Sequence, residues 1–177
     1  MIKGKGKIGI PDPINLTRWL EENEEHLQPP ICNRCIQKGE ELMAMVVIGP
    51  NDRTDFHVNP TEEWFYQVKG RLELTIMETD AESQVSQSVK VLNEGDTFLL
   101  PALVPHRPRR LSASAGIVIE RRRPPGSLDE LRWYCEKCLA IIHEIAFTCS
   151  DMEEGLRRVV KEGWSGRRLC PDCSTDT

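Results

Sequence analysis

The chain has 177 residues, 39% of them hydrophobic, with a formal net charge of -5 and a pI near 5.5. This length allows one sizeable core and a small appendage. The acidic balance argues against a general nucleic-acid binder, which carries a clustered basic surface. No apolar run reaches the roughly 18 residues of a membrane span, and the N-terminus lacks the apolar stretch of a secretory signal. We therefore expect a cytoplasmic protein that acts on a small molecule.

The first predicted element is a helix over residues 16 to about 27. Asn15 can cap it, and Leu16, Trp19 and Leu20 place an apolar face at helical spacing. The two prolines at positions 29 and 30 end it.

From residue 42 to residue 120 the pattern changes to short apolar runs separated by turn formers. The runs are LMAMVVI, EWFYQV, RLELTIM, VKVL, TFLLP and AGIVIE, and the turns include GPND, VKGR and NEGD. This alternation is typical of an all-β sandwich or barrel, so we expect a small antiparallel barrel. The polar stretch ETDAESQVSQS is expected to form an exposed hairpin loop.

The segment RRRPPGS at 121–127 predicts a domain boundary, because Pro124, Pro125 and Gly126 continue neither a strand nor a helix cheaply. We divide the chain into a barrel domain with its N-terminal helix, residues 1–125, and a tail, residues 126–177. Ser150 and Glu153 form a capping box for a helix over 150–162. The tail has too little apolar surface to fold alone, so a metal staple packed on the barrel is expected.

Candidate metal ligands lie in DFHVNPTEEWFYQ and in GDTFLLPALVPH. In an extended strand His57, Asn59 and Glu63 share one parity. Glu62 has the opposite parity and is expected to point outward.

The spacing His57-x-Asn59-x3-Glu63-x6-Gly70, followed by Gly95-x5-Pro101-x4-His106, resembles the two motifs of the cupin superfamily. In cupins two hairpins bring metal ligands together inside a jelly-roll, double-stranded barrel. Asn59 stands where many cupins have a second histidine, and Leu103 replaces a usual glycine. The remaining ligands, His57, Glu63 and His106, have the composition of the facial triad that suits non-haem Fe(II).

Longer strings narrow the resemblance. GPNDRTDFHVNPTEEWFYQVKG, EGDTFLLPALVPHRPRR and GIVIERRRPPG resemble the 3-hydroxyanthranilate 3,4-dioxygenase family. The resemblance covers nearly the whole chain and implies an Fe(II) enzyme, commonly a homodimer. The implied reaction joins dioxygen to 3-hydroxyanthranilate, opening the ring to 2-amino-3-carboxymuconate semialdehyde, the precursor of quinolinate in the kynurenine route to NAD.

The resemblance also assigns substrate groups. Arg110 matches the clamp for the substrate carboxylate, which suits a planar guanidinium. Arg53 matches a second group that can reach the carboxylate or dioxygen. Glu120 matches a proton acceptor for the substrate amino or hydroxyl group.

One difference from the family's usual sequence leaves the identity of the substrate undecided. The chain has Arg107 and Arg109 around Pro108, two cations more than the family usually has there. Parity opposite to His106 and Arg110 predicts that both face outward. If instead they reach the pocket mouth, the alternative is a paralogue that cleaves a substituted 3-hydroxyanthranilate. A third possibility is a non-catalytic cupin that binds an anthranilate.

Six of the seven cysteines form three Cys-x-x-Cys pairs. Cys135, Cys138, Cys170 and Cys173 are predicted to form a closed tetrahedral site for Zn or Fe. Some members of the resembled family carry a rubredoxin-like iron there, which implies a structural role. The remaining pair, Cys32 and Cys35, is interpreted as two unrelated thiols.

Overall fold

Period-two alternation of apolar residues from residue 42 onward is the pattern that buries one face of a strand, and the computed structural model contains strands throughout this region. The structure describes residues 10–23, 32–51, 53–149, 159 and 169–176. Within these ranges the elements with described bounds are one helix, α1 (Leu16–Asn23), and eleven strands. The strands are β1 (Asn33–Lys38), β2 (Leu42–Ile48), β3 (Phe56–Val58), β4 (Glu63–Lys69), β5 (Leu72–Thr79), β6 (Val85–Leu92), β7 (Thr97–Leu100), β8 (His106–Arg110), β9 (Ala115–Arg121), β10 (Asp129–Tyr134) and β11 (Ile141–Phe147).

The strands form two antiparallel sheets. One sheet has the order β1-β2-β9-β4-β7, and the other has the order β11-β10-β3-β8-β5-β6. The apolar core lies between them, with Met45, Phe65 and Val118 from the first sheet packed with Leu74 and Leu131 from the second. The predicted all-β, jelly-roll barrel with an N-terminal helix is confirmed.

The helix begins where the cap was predicted, because the Arg18 backbone N–H donates to the Asn15 side-chain oxygen at 3.0 Å. The predicted end near residue 27 lies outside the described residues. No described helix has the length and apolarity needed to cross a membrane.

The predicted exposed hairpin over ETDAESQVSQS is present, but its loop is much shorter than predicted. Strand β5 continues to Thr79 and β6 begins at Val85, so only a short turn remains. Asp80 closes this turn by accepting backbone N–H donors from Glu82 and Gln84. Cross-strand pairing, which single-strand periodicity does not reveal, extends these polar strands.

Two strands follow the predicted boundary at residue 126 and join the second sheet. Strand β10 pairs with β3, placing Leu131 opposite His57, and β11 pairs with the other edge of β10. The sequence reading predicted no strands there. The predicted helix over 150–162 lies outside the described residues except for Val159, which is helical and buried in the core. The division at residue 125 stays a prediction.

Candidate active site

Three potential metal ligands converge inside the barrel. His57 on β3 pairs directly with His106 at the start of β8, and Glu63 begins β4 in the opposite sheet. One Glu63 carboxylate oxygen, Oε1, lies 3.3 Å from His106 Nε2 and 3.8 Å from His57 Nδ1. The ligating atoms of the three residues all lie within 4.8 Å of one another, and all three side chains are buried. The site therefore joins the two sheets.

The outer nitrogen of each histidine has its own partner. His57 Nε2 lies 2.7 Å from Asp129 Oδ2, and His106 Nδ1 lies 3.0 Å from the Val104 carbonyl oxygen. Both partners are acceptors, so each imidazole holds a proton on its outer nitrogen and presents the other nitrogen to the site. This donor set fits a divalent metal ion.

The charge states follow from burial and from the neighbouring groups. Burial works to raise the pKa of Glu63, but His106 and then His57 outweigh it and lower that pKa to about 2. Burial lowers the pKa of His57, which favours the neutral imidazole. For His106 burial has the same effect, but the Glu63 carboxylate outweighs it and raises the pKa. Glu63 is thus ionised, as a metal ligand must be.

Asn59, which replaces the usual cupin histidine, bridges two carboxylates. Its side-chain Nδ2 donates to Glu63 Oε1 at 2.8 Å and to Glu120 Oε2 at 2.6 Å. The amide is locked in this orientation because its oxygen accepts from the Thr61 backbone N–H and hydroxyl. The other departure, Leu103, adopts a positive φ of 65°, the conformation that glycine adopts at lowest cost. Its backbone N–H donates to the Asn59 carbonyl oxygen at 2.8 Å.

Arg110 carries a fully buried guanidinium that has no acidic partner in the described part of the chain. Its Nη1 donates to the neutral Gln67 Oε1 at 2.6 Å, its Nε has no partner, and no described carboxylate is within ion-pair distance. Burial lowers the pKa of Arg110, but a guanidinium stays charged at neutral pH. A Cβ at position 116 would lie 2.7 Å from Arg110 Nη2, so Gly116 makes room for this side chain.

Arg53, Arg110 and the three potential metal ligands line one cavity of about 60 Å³. Arg53 donates from Nε to Asp55 Oδ1 at 3.1 Å, and its Nη2 contacts the other oxygen of the same carboxylate. Two cations thus lie at the cavity that the ligand triad shares.

Glu120 lies next to Glu63 as its cross-strand neighbour but does not line that cavity. Its Oε2 accepts from Arg123 Nη1 at 2.9 Å, while its buried Oε1 has no hydrogen-bond partner among the residues that the structure describes. Burial, reinforced by the negative charge of Glu63, raises the pKa of Glu120 to about 7. A carboxyl group with such a pKa can exchange a proton near neutral pH.

The two additional arginines of the HRPRR stretch lie outside the cavity. Arg109 is exposed and pairs with Glu73 at 3.2 Å. Arg107 places its guanidinium carbon 4.9 Å from the centre of the Phe56 ring, a cation–π contact. Glu62 is exposed, in contrast to the buried Glu63.

The four tail cysteines form a second cluster of metal-ligating groups. Cys135 Sγ lies 3.6 Å from Cys173 Sγ, and Cys138 Sγ lies 3.4 Å from Cys170 Sγ. The two knuckles have the same backbone form. In each, the first cysteine N–H donates to the carbonyl five residues later, and the residue after the second cysteine, Leu139 or Ser174, has positive φ. Four thiols in two matching turns fit a closed tetrahedral metal site.

Of the pair interpreted as unrelated thiols, Cys32 is buried and lines the active-site cavity, and its Sγ lies 3.4 Å from the Pro50 carbonyl oxygen. Cys35 is partly buried on β1, which begins directly after Cys32, and its Sγ lies 3.5 Å from the Gln37 carbonyl oxygen. The structure brings neither of them to a metal-ligating cluster within the described part of the chain.

The sequence reading missed four polar residues that surround the site. Asn51 anchors the Arg110 strand by accepting the Arg110 N–H at 2.6 Å, and Gln67 holds the guanidinium. Arg123 and Asp129 link His57 to Glu120. Only Gln67 had a sequence signal, the parity it shares with Glu63.

The fold and the site together define the class of the protein. It is a cupin-type barrel whose interior carries two histidines and one carboxylate in a donor set suited to a metal ion.

Comparisons with known proteins narrow this class to one family. The model of the family described as 3-HAO: 3-hydroxyanthranilic acid dioxygenase matches residues 10–164. A 3-hydroxyanthranilate 3,4-dioxygenase from Scheffersomyces stipitis is 40% identical over 94% of this chain and 95% of its own. One from Yarrowia lipolytica is 43% identical over 94% and 96%. A solved cupin-2 domain containing protein from Shewanella frigidimarina is 18% identical, with a TM-score of 0.44 over 62% of this chain and 94% of its own. The chain belongs to the 3-hydroxyanthranilic acid dioxygenase family.

The two adjacent glutamates give a matched test of the metal centre. Glu63→Gln removes the only charged ligand of the triad and is expected to lose barrel metal, while Glu62→Gln, which removes an exposed charge, keeps it. The measurement is metal per chain after anaerobic Fe(II) loading and desalting, with the thiol-bound metal subtracted. Equal metal retention in the two variants would refute the assignment of Glu63 as a ligand.

Proposed function

We propose that this protein is an Fe(II)-dependent dioxygenase that opens the ring of 3-hydroxyanthranilate to 2-amino-3-carboxymuconate semialdehyde. The observation that carries the proposal is the buried Arg110 guanidinium, which has no acidic partner among the described residues and lines the same cavity as His57, Glu63 and His106. A buried charge without a counter-ion is costly, so this position suits an anionic ligand. Family membership supports the same substrate, which the names of the relatives specify.

Arg110 would bind the substrate carboxylate. Its Nε has no partner within the described structure, and Gln67 and Gly116 hold the guanidinium in place. The contact is charge-assisted and forms in a largely buried site, which makes it stronger than a neutral hydrogen bond. Arg53 lines the same cavity and supplies a second positive charge for the carboxylate or for dioxygen.

Glu120 would accept the proton that the substrate hydroxyl or amino group loses on binding. Its unpartnered Oε1 is available as an acceptor, while Asn59 and Arg123 hold Oε2. The pKa near 7 matches a group that takes up and returns a proton at neutral pH.

His57, Glu63 and His106 would hold the metal ion, which we infer to be Fe(II) because two imidazoles and one carboxylate form the facial triad typical of non-haem iron oxygenases. Such an ion, when bound, leaves open positions for the substrate and for dioxygen and promotes their reaction. Asn59 bridges the two nearby carboxylates, Glu63 and Glu120, by donating to both.

Two rival functions are less well supported. A paralogue for a substituted substrate would need Arg107 or Arg109 at the cavity, but Arg107 contacts Phe56 and Arg109 pairs with Glu73. A non-catalytic anthranilate-binding cupin would not need the complete ligand triad, which is present and buried.

We also infer that the cluster of four tail cysteines binds a structural Fe or Zn ion, because four thiols leave no coordination position for a substrate. Within the described residues the cysteines form no disulfide, which fits a reducing compartment and therefore the cytoplasm.

A homodimer is inferred from the outer face of the first sheet. There the Trp64 and Tyr66 rings stack at 6.2 Å, and each is 36% exposed. Leu99, paired with Trp64 on the next strand, is 55% exposed. An exposed apolar patch of this kind fits an interface with a second copy.

The proposed reaction predicts a fixed stoichiometry. Fe(II)-loaded protein mixed with 3-hydroxyanthranilate should consume one dioxygen molecule per ring opened, without a reducing cosubstrate. The measurement combines an oxygen electrode with product analysis, and anthranilate, which lacks the 3-hydroxyl group, is the control substrate. Tight binding of 3-hydroxyanthranilate without oxygen uptake would favour the non-catalytic alternative.

The carboxylate clamp predicts different effects for two arginines on the same strand. Arg110→Ala should weaken anaerobic substrate binding by roughly ten-fold to over a hundred-fold, since a lost charge-assisted contact costs about 1.5–3 kcal/mol. Arg109→Ala removes only an exposed pair with Glu73 and should leave the dissociation constant nearly unchanged. Equal losses in a titration of the two folded variants would contradict the clamp.

If the tail metal is structural, its loss should lower the stability of the protein without abolishing turnover. Replacing Cys135 and Cys138 with serine should remove the tail metal, lower the melting temperature and loosen the chain after about Leu131, because metal binding supplies folding energy. Turnover per barrel iron should persist when the barrel is kept saturated with Fe(II). A collapse of that turnover while the barrel ligands still hold iron would show that the tail metal takes part in catalysis.

A further inference from the structure

A network of hydrogen bonds between buried side chains connects the potential metal ligand His57 to Glu120. His57 Nε2 lies 2.7 Å from Asp129 Oδ2. Arg123 donates to both oxygens of Asp129, from Nε and Nη2, at 2.7 Å each. The remaining Arg123 nitrogen, Nη1, donates to Glu120 Oε2 at 2.9 Å. Asn59 donates to both Glu120 and Glu63, so this hydrogen-bond network leads back to the ligand triad.

Asp129 is completely buried. A protonated Asp129 would not satisfy the hydrogen-bond donors of its neighbours. Its Oδ1 accepts from Arg123 alone, and its Oδ2 accepts from both Arg123 and His57. Both oxygens must therefore be acceptors, which only an ionised carboxylate provides. An asparagine at this position would direct an N–H group at either Arg123 or His57.

The consequence concerns which nitrogen of His57 binds the metal. Because Asp129 accepts at Nε2, the proton of the neutral imidazole is held on Nε2, and the bare nitrogen is Nδ1, which faces Glu63 at 3.8 Å. His106 has the opposite arrangement, with Nδ1 bonded to the Val104 carbonyl oxygen and Nε2 facing Glu63. The two histidines therefore need different tautomers, and Asp129 selects that of His57.

Backbone pairing fixes the position of Asp129 relative to His57. Asp129 opens β10, and the next three residues of that strand pair with β3, with Leu131 directly opposite His57. Arg123 reaches the same carboxylate from the segment that follows β9. A strand beyond the predicted domain boundary thus completes the surroundings of the metal centre.

We infer that Asp129, held by Arg123, is a positioning residue that fixes His57 in the tautomer that binds metal through Nδ1, and that Arg123 at the same time orients Glu120. This inference rests on the proposed function in so far as the barrel site binds a divalent metal ion. Carboxylates that accept from a metal-ligating histidine typically change metal affinity by about 10–100-fold when removed. The same order of loss is expected here.

The test uses the full chain and two readouts besides activity. The first is the dissociation constant of Mn(II), followed by the loss of the free-ion signal in electron paramagnetic resonance. Mn(II) prefers nitrogen and oxygen ligands, so the thiol cluster does not compete. The second is the tautomer of His57 in metal-free, ¹⁵N-histidine-labelled protein, assigned with His57→Ala.

Asp129→Asn should weaken Mn(II) binding about 10–100-fold and convert the single Nε2-protonated form of His57 into a mixture. Glu144→Gln is the matched control, since it removes an acidic side chain of the same sheet that pairs with Arg132 at the surface, and it should change neither readout. If Asp129→Asn does not fold, Arg123→Lys keeps the positive charge but loses the paired donors. It should then shift both readouts in the same direction.

Each remaining outcome has a separate meaning. Unchanged Mn(II) affinity and an unchanged tautomer in a folded Asp129→Asn variant would overturn the positioning role, even if its melting temperature fell. A wild-type protein that is folded but binds no Mn(II) in the barrel would instead overturn the metal centre of the proposed function.

Discussion

The burial of charge inside the barrel is the constraint on which the rest of the structure depends. Glu63, Glu120 and Asp129 are at most 6% exposed, and Arg110 is 2% exposed. A buried charge is tolerated when it is paired and hydrogen-bonded. Arg123 meets this requirement for two carboxylates at once, because it contacts Asp129 with two nitrogens and Glu120 with the third. Asp129 in turn contacts the potential metal ligand His57, and Glu120 contacts Asn59.

Two of the buried charged groups that the structure describes are incompletely paired, and they indicate where a ligand would bind. Within the described ranges, Arg110 has a neutral partner, Gln67, and one nitrogen without a hydrogen bond, while Glu120 has one oxygen without a donor. The cavity at the metal ligands therefore has a cationic end at Arg110 and Arg53. In the proposed complex, the carboxylate of a small aromatic acid would contact these cations and its hydroxyl group would lie at the metal centre. The arrangement also depends on barrel closure, because Glu63 and His57 belong to different sheets.

The tail has a closer relation to the active site than its composition indicates. Strand β10 begins with Asp129, which contacts His57, and ends at Tyr134, immediately before Cys135, the first cysteine of the tail cluster. One strand therefore connects the surroundings of both candidate metal sites. Pairing of β10 with β3 anchors its first half independently of the cysteines, which is why loss of the tail metal need not disturb His57.

The sequence by itself determined the all-β class, the family and the residues that approach one another in the site. Period-two burial places His57, Asn59 and Glu63 on one face of their segments, and the spacing of two motifs brings His106 to them. Arg53 and Arg110 were also assigned, since the resemblance to a family carries positions that no local pattern marks. Only the tertiary structure decided how these residues are held. Several of their partners are far away in sequence: Asp129 lies 72 positions from His57, Asn59 61 positions from Glu120, and Gln67 43 positions from Arg110. Such contacts arise from strand pairing between distant segments, and hydrophobic periodicity within one segment carries no information about them.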